Sequence, residues 1–472
     1  PPMEPRARDY VIVGSFVAFA IWMGMAVPAL YDRFSEKMKG LTPALLAGGL
    51  VLIAPILMAF NNYDDHNRRN LHSARDSAIN FLESCEPNAI LFTYGDNDTY
   101  PLWYAQEVEG IRTDVRVVNL SLIPVDWYIN GLRRKKNDSP AIKLTFTKDQ
   151  FRGSNRNNLP VREGSPMALK DIMEFAAADN PQPASGGRSF ESFVPSNQFY
   201  IDVNTNDPAV QDMLLPADSG RVVSRMTGTI GSNSYLNKGE LTVLDIIANN
   251  WTERPIYWSL TAPTDQLFGL QQYLRMEGLA QRLVPVQGQQ MVNLEAVHHN
   301  MLNEFQWGGL DQYDQAVADG FRATVMAMRN MVSRACQEAL TRMNNADNES
   351  EKERYQQIGI DILNKYFEVF PDFNFPYDQE TLVFVQYYNL LGKPEMMEPL
   401  LDKLIDRFEE QMVFYRAISQ SALNAGFGAQ KEMWDSRIPG LANFVVQTGN
   451  PELVEKLHAK LGSFADLSQF NL

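Results

Sequence analysis

The hydrophobic pattern at the start of the chain predicts two membrane-spanning helices. Residues 10–31 carry no charged side chain, and a second uncharged stretch covers residues 41–60 after a short polar loop. A helix over the first stretch is about 33 Å long, which is enough to cross the hydrocarbon core of a bilayer. A cleavable secretory signal is the other interpretation, but the apolar run is too long for one and a second span follows directly. We therefore predict a membrane hairpin within residues 1–62, which places residues 1–9 and the chain after residue 62 on the same side.

After the hairpin, short apolar runs alternate with stretches of helical period. The predicted elements are a helix over residues 67–85, strands over 89–93 and 115–120, a helix from Pro101, a helix over 124–136 and a third strand over 142–147. Strand, helix and strand in this order are typical of a βαβ unit with two parallel strands. We assign residues 63–150 to an α/β domain and residues 151–300 to its α+β continuation.

The chain becomes helical from about residue 310 and contains an internal repeat. Gly392–Leu404 matches Gly449–Leu461 at seven of thirteen positions, and both copies begin with Gly-x-Pro-Glu. This motif is typical of a helix end, a turn and a new helix start. The repeat predicts a helical tail over residues 310–472 that resembles tetratricopeptide (TPR) repeats, although the usual TPR period is about 34 residues. An unrelated helical bundle is the alternative.

Composition and charge exclude several classes of function. The apolar fraction of 45% and the charged fraction of 21% are those of a globular chain rather than a disordered one. The net charge is −15, and residues 1–75 carry +2, so the remainder carries −17. Nucleic acid is therefore not an expected partner, because so acidic a body repels phosphate backbones. Neither the five histidines nor the two cysteines have zinc-ligand spacing, and no phosphate loop, dinucleotide motif or hydrolase elbow is present.

The most informative polar loop, Gly95-Asp-Asn-Asp98, lies at the carboxyl end of a predicted parallel strand. Ligands bind beyond such strand ends in open α/β sheets. The loop suits sugar hydroxyls, and a divalent cation at Asp96 and Asp98 is a further option. Capping of the next helix by Asp98 or Thr99 is the alternative. Aromatic residues nearby suit either a sugar ring or simple packing. The candidate substrate-binding residues are Asp96, Asn97, Asp98, Tyr100, Trp103 and Trp127.

A second polar cluster follows the second predicted span and is expected at the level of the lipid headgroups. It contains Asp65, His66, Arg68 and Arg69. Arginine offers a bidentate fork for phosphate, so these residues are candidates for contact with a lipid-linked phosphate. A solvated helix end is the alternative. The basic residues that flank the two spans are nearly balanced and do not set the orientation of the hairpin.

Three segments resemble a known family of membrane proteins. They are Asn80–Gly110 (NFLESCEPNAILFTYGDNDTYPLWYAQEVEG), the pair LTVLDII and RPIY within 241–257, and the run YL, EGLA and RLVP within 273–285. These segments resemble the region after the last membrane spans in large Bacteroidetes-type membrane proteins. That family, long labelled as of unknown function, is grouped with protein-O-mannosyltransferase-like glycosyltransferases of the GT-C type. The likeness runs from residue 10 to about residue 290.

The resemblance implies transfer of a sugar from a polyprenyl-phosphate donor to a protein, on the periplasmic side of the inner membrane. It implies that residues 63–472 are periplasmic and that residues 32–40 are cytoplasmic. Such enzymes have many more than two spans and an early catalytic loop, so the chain corresponds to their C-terminal region and its catalytic residues are not assigned. Two alternatives remain. One is a membrane-anchored periplasmic protein-interaction module with TPR-like repeats and no catalysis, and the other is a metal-dependent hydrolase that uses Asp96 and Asp98.

Overall fold

A computed structural model describes residues 13–63, 67, 69–183, 189–231, 234–312 and 322–470. The chain divides into two compact units. The first comprises the chain up to Leu71 together with Glu410–Ser436, and the second comprises His72–Glu409 with Arg437–Leu472.

The first unit begins with the two apolar helices that the sequence predicts. Helix α1 covers Val13–Ser35 and helix α2 covers Thr42–Asn61. Both are long and apolar enough to cross a membrane. Their large side chains face outward, and Trp22 on α1 is 69% exposed. An apolar surface of this extent on a helix pair is typical of elements that a bilayer covers.

The second unit contains all the described β-strands. They are β1 (Ile90–Thr93), β2 (Arg116–Asn119), β3 (Asn158–Pro160), β4 (Met167–Ala168), β5 (Gln182–Pro183), β6 (Ser189–Phe190), β7 (Gln198–Asp202), β8 (Arg225–Thr229), β9 (Tyr235–Asn237), β10 (Ile256–Ser259), β11 (Leu274–Met276), β12 (Ala280–Leu283) and β13 (Met291–Val292). Its helices up to residue 299 are α3 (Ser73–Glu83), α4 (Asp96–Glu107), α5 (Asp126–Leu132), α6 (Leu169–Ala177), α7 (Pro208–Gln211), α8 (Lys238–Asn250) and α9 (Leu294–His299).

A six-stranded sheet with a parallel centre organises this unit. Its strand order is β13-β11-β12-β10-β1-β2. Strand β1 pairs in parallel with both β2 and β10, which confirms the predicted βαβ unit. Strands β12 and β11 extend the sheet in antiparallel fashion. Every residue of β1, β2 and β10 is buried, as in parallel sheets that are covered on both faces.

The helix after β1 begins earlier than the sequence predicts. Helix α4 starts at Asp96, whereas the prediction placed its start at Pro101. Gly95 adopts a φ of 79°, which turns the chain sharply out of β1 into the helix. The Asp98 carboxylate then accepts the backbone N–H of Tyr94 at 2.9 Å. The polar residues that look like a loop in the sequence therefore form the first turn of α4. Helix α5 is also shorter than the predicted span of residues 124–136.

The predicted third strand over residues 142–147 is wrong, because this segment has no strand neighbour. Its backbone is bound instead by side chains of α8. Asp245 accepts the N–H of Thr145 at 2.9 Å. Asn250 accepts the N–H of Lys143 at 3.1 Å and donates to the carbonyl of the same residue at 2.9 Å. The apolar residues of this segment are nevertheless part of the core, since Ile142 and Phe146 are both buried.

Residues 151–250 add small sheets that are separate from the central sheet. Strands β7 and β8 are antiparallel, and β4 joins β7 in parallel. Helix α6 lies between β4 and β5, and it accompanies these strands in the α+β arrangement that the sequence predicts for the region. One hydrophobic core joins this region to the sheet through residues such as Phe92, Trp258 and Ile247.

The chain after residue 300 is helical, as predicted. Its α-helices are α10 (Arg322–Asn344), α11 (Glu349–Val369), α12 (Thr381–Leu390), α13 (Glu398–Ala417), α14 (Gln420–Ala422), α15 (Gly428–Thr448) and α16 (Pro451–Leu461). Segments Asn300–Glu304 and Leu423–Phe427 have π-helical hydrogen bonding. Short 3₁₀ turns elsewhere cover Asp149–Phe151, Pro216–Asp218, Thr264–Leu267, Gln271–Tyr273 and Pro394–Met396.

Both copies of the internal repeat are a helix end followed by a new helix. Gly392 and Gly449 have φ values of 72° and 69°, the left-handed conformation that ends a helix. Lys456 on α16 binds Asp406 on α13 at 3.0 Å, so helices from the two copies are ion-paired. A helical tail with repeated turns is therefore present, and its likeness to TPR repeats stays a prediction.

The first unit also contains the middle of this helical region. Residues 410–436 run from the second half of α13 through the π-helical segment into the first half of α15. Gly426 has a φ of 131° and kinks the chain there. Within this stretch, the rings of Phe414 and Phe427 are in edge contact at 6.2 Å, whereas Val413 is 53% exposed.

Candidate functional site

Three polar residues end the three parallel strands. Thr93 ends β1, Asn119 ends β2 and Ser259 ends β10. The register pairs Thr93 with Asn119 and pairs Phe92 with Trp258, so all three polar side chains fall on the same face of the sheet. The first turn of α4 closes over them. This carboxyl edge of the sheet is where the sequence predicted a ligand site.

Asp98 is the centre of this edge. Its side chain is only 8% exposed, and Oδ2 accepts the backbone N–H of Tyr94 at 2.9 Å and the hydroxyl of Ser259 at 2.8 Å. Ser259 in turn is 2.8 Å from the hydroxyl of Thr261. Burial raises the pKa of Asp98, and the hydrogen bonds from Tyr94, Thr261 and Ser259 oppose that rise. Through Oδ2, Asp98 fixes the start of α4 to the end of β10.

The edge also holds polar atoms whose hydrogen-bonding capacity is unused. Among the described residues, Oδ1 of Asp98 and Nδ2 of Asn119 are buried without a partner. Oδ1 of Asn119 is used locally and accepts the N–H of Ser121 at 2.7 Å. Thr93 and Thr99 share a buried hydroxyl contact of 2.8 Å. Buried polar atoms are normally paired, so these two atoms are exceptions within the edge.

Asp96 and Asn97 lie on the exposed side of the same helical turn. The negative charge of Asp96 raises the pKa of the Tyr100 hydroxyl, which shows that the two side chains are close. In the part of the chain that the structure describes, no group of three or more His, Cys, Asp or Glu side chains is placed to hold a metal ion. A cation at Asp96 and Asp98 would also compete with the hydrogen bonds that Asp98 already accepts from Tyr94 and Ser259.

A row of aromatic rings runs along the edge. Tyr100 stacks on Trp103 with ring centroids 5.5 Å apart, and Trp103 is 6.5 Å from Tyr128. Tyr128 is in edge contact with Trp127 at 5.8 Å. Tyr100 is 49% exposed and Trp127 is 63% exposed, whereas Tyr128 is buried and its hydroxyl accepts the N–H of Asn119. The ends of the row therefore present open aromatic faces, and its middle is fixed to β2.

The structure brings most of the sequence-predicted site residues together and leaves the others apart. Five of the six candidates for substrate binding are side chains of α4, and Trp127 joins them through the aromatic row. Of the juxtamembrane candidates, Asp65, His66 and Arg68 lie outside the described residues. Arg69 is exposed and belongs to the first unit.

Sequence reasoning missed Ser259, Thr261, Thr93 and Asn119. Ser259 is 161 positions from Asp98 in the chain, so no local motif connects them. The available signal was the polar residue that ends each apolar strand: Thr93 in AILFT, Asn119 in VRVVN and Ser259 in IYWS. Reading the ends of all the parallel strands together would have found these residues.

Part of the chain matches a known protein family. Residues 74–301 match a family described as TMEM260-associated domain 2. The matched range includes the whole central sheet, α4 and the aromatic row, and it excludes the apolar hairpin and the helical tail. No curated protein and no solved structure matches the chain. The match suggests a TMEM260-like family, which agrees in outline with the resemblance to membrane glycosyltransferases.

Proposed function

We propose that this chain is the C-terminal membrane hairpin and periplasmic domain of a GT-C-type glycosyltransferase that moves a sugar from a polyprenyl-phosphate donor to a protein. The observation that carries the proposal is the match of residues 74–301 to TMEM260-associated domain 2. Two helices of membrane-spanning length precede that domain. The catalytic residues of the transfer are not assigned to this chain.

The carboxyl edge of the sheet is the part of the domain that we propose contacts sugar. The C–H faces of a sugar ring stack on aromatic rings, and Tyr100 and Trp127 offer exposed rings at the two ends of the row. Asp96 and Asn97 are exposed beside Tyr100 and can accept or donate hydrogen bonds to hydroxyl groups. Trp103, which is partly buried, stacks on Tyr100 and leads through Tyr128 to Trp127. In this arrangement the edge guides donor or acceptor sugar and does not itself break a bond.

A second candidate function rests on the helical tail. Repeated helix-turn-helix units are common in proteins that bind other proteins, and the tail contains two copies of one turn at Gly392 and Gly449. On this alternative the chain is a membrane-anchored periplasmic interaction module without catalysis, and the central sheet only supports the tail.

Exposed aromatic residues in the two regions allow a matched test. In cells whose own copy of the gene is deleted, we would express the full-length protein carrying Trp127→Ala or, as the control, Phe373→Ala. Trp127 is 63% exposed and Phe373, which follows α11, is 53% exposed, so neither change removes a core side chain. We expect Trp127→Ala to lower total glycoprotein staining several-fold and to leave the melting temperature nearly unchanged, whereas Phe373→Ala changes neither.

Three results would contradict the proposal in different ways. Normal glycoprotein staining in the deletion strain would exclude a role in glycosylation. Normal staining with both Tyr100→Ala and Trp127→Ala would remove the aromatic row from the site. Loss of staining with Phe373→Ala but not with Trp127→Ala would favour the interaction module.

A further inference from the structure

A pocket of about 690 Å³ lies beside the central sheet, between the loop that follows β10 and the helices α10 and α12. Its size falls within the range of small-molecule sites. Thr261 lines it from the loop after β10 and Gln281 lines it from β12. Asn330, Ser333 and Arg334 line it from α10. All of these residues belong to the second compact unit. None of the residues that the sequence analysis singled out for substrate binding lines this pocket.

The pocket contains an arginine whose charge is not offset. Arg334 donates to the side-chain oxygen of Gln281 at 3.3 Å and to the backbone carbonyl of Met291 at 3.1 Å. Neither acceptor carries a charge, and among the described residues no carboxylate pairs with Arg334. Its Nε is buried without a hydrogen-bond partner. Burial alone lowers the pKa of Arg334, since no anion nearby opposes the effect.

Other partly buried arginines on the same helix are paired, which makes Arg334 an exception. Arg329 also lines the pocket, but it binds Asp378 at 2.7 Å. Arg342 binds Glu295 at 3.0 Å and Glu338 at 2.7 Å. A partly desolvated cation is costly unless an anion accompanies it. An unpaired guanidinium in a pocket wall is therefore the feature expected where a ligand supplies the anion.

The rest of the lining indicates what else the ligand carries. Thr261, Thr264, Asn330 and Ser333 place hydroxyl and amide groups around the pocket, which suit hydroxyl groups on a ligand. Phe384 and Leu267 add apolar contact. Glu380 is the one carboxylate in the described lining, and it is exposed.

We propose that this pocket binds a sugar that carries an anionic group, a phosphate or a carboxylate, with Arg334 as the group that recognises the anion. The inference rests on the pocket alone and stands whether or not the chain takes part in glycosyl transfer. The pocket adjoins the carboxyl edge, because Thr261 lines it and also contacts Ser259, the partner of Asp98. A ligand in the pocket therefore lies one hydrogen-bonded step away from the edge.

The test is a calorimetric titration of the full chain in detergent with three probes. Glucose 6-phosphate carries a phosphate, glucuronate carries a carboxylate, and glucose carries neither. We expect at least one of the two anions to bind and glucose to bind at least about tenfold more weakly, because a charge-assisted hydrogen bond is worth about a factor of ten or more. The stronger of the two anions identifies the charged group. No heat from either anion, or equal affinity for glucose, would overturn the proposal.

Variants separate recognition from folding. Arg334→Gln should weaken binding of the preferred anion at least about tenfold. Arg342→Gln is the matched control, since it removes a partly buried arginine from the same helix away from the pocket; it should lower the melting temperature and leave the affinity unchanged. Asn330→Asp is the second variant, for use if Arg334→Gln does not fold. Asn330 is exposed, so the change should not affect folding, and the new carboxylate should repel the anion. Unchanged affinity in Asn330→Asp together with Arg334→Gln would assign binding to another site.

Discussion

Asp245 is a single buried residue that binds the backbone of a segment without regular secondary structure. It lies on α8 with no exposed surface, and its carboxylate accepts the N–H of Thr145 and a hydrogen bond from Asn249. These bonds hold the segment that the sequence presents as a strand. Burial raises the pKa of Asp245 to about 6, and the hydrogen bonds from the Thr145 hydroxyl and from the backbone N–H groups oppose that rise.

The raised pKa of Asp245 predicts a pH dependence of stability. The folded value of about 6 lies above the ordinary value of 3.8, so the folded state holds the proton more tightly. The stabilising effect of that proton is fully present below about pH 4 and is lost as the pH rises through 6, an effect of roughly 3 kcal/mol if fully expressed. We therefore expect wild type to lose stability relative to Asp245→Asn between pH 4 and pH 7. A constant difference in unfolding free energy between the two proteins over this range would contradict the assignment.

At the scale of elements, the sequence predicts what local pattern controls and fails where distant side chains act. Strands β1 and β2 were predictable because each lies in a short, mostly apolar run that ends near a polar residue. The segment over residues 142–147 was not predictable, since its partners Asp245 and Asn250 lie about a hundred residues away. The start of α4 was missed because Asp98 stabilises the turn at Gly95 through the backbone of Tyr94. The same reason explains which site residues were predicted. Most of them lie close together on α4, whereas Ser259 lies at the end of β10, far away in the sequence.

Two glycines near the end of the chain give a prediction about its helices. Gly449 follows α15 with a φ of 69°, and Gly440 lies inside α15 in helical conformation; a Cβ on either would meet no atom within 4 Å. Gly449→Ala should destabilise the chain by about 1–2 kcal/mol because an alanine is strained in the left-handed region. Gly440→Ala should stabilise it by about 0.5–1 kcal/mol. Thermal unfolding of the two variants tests the opposite signs, and a shift in the same direction for both would contradict the helix end at Gly449.

At the scale of the whole molecule, the two units differ in the solvent that their surfaces suit. Both helices of the hairpin in the first unit expose large apolar side chains. The chain after residue 75, most of which forms the second unit, carries a net charge of −17. A pair of membrane helices attached to an acidic domain would account for the exposed apolar side chains and for the negative charge. The charges that flank the spans are nearly balanced and do not set the orientation. The proposed function predicts that the domain is periplasmic and that the loop between α1 and α2 is cytoplasmic.

Cysteine labelling tests this orientation without a cysteine-free background. Cys85 and Cys336 are 4% and 0% exposed, and burial raises the pKa of both thiols, so neither should react while the chain is folded. Lys135→Cys places an exposed thiol after α5, and Lys37→Cys places one in the loop between the apolar helices. In intact spheroplasts, a membrane-impermeant maleimide should label Lys135→Cys at once and Lys37→Cys only after permeabilisation. The reverse pattern would place the domain in the cytoplasm, away from the expected donor. Labelling of both proteins without permeabilisation would show that the hairpin does not cross the membrane.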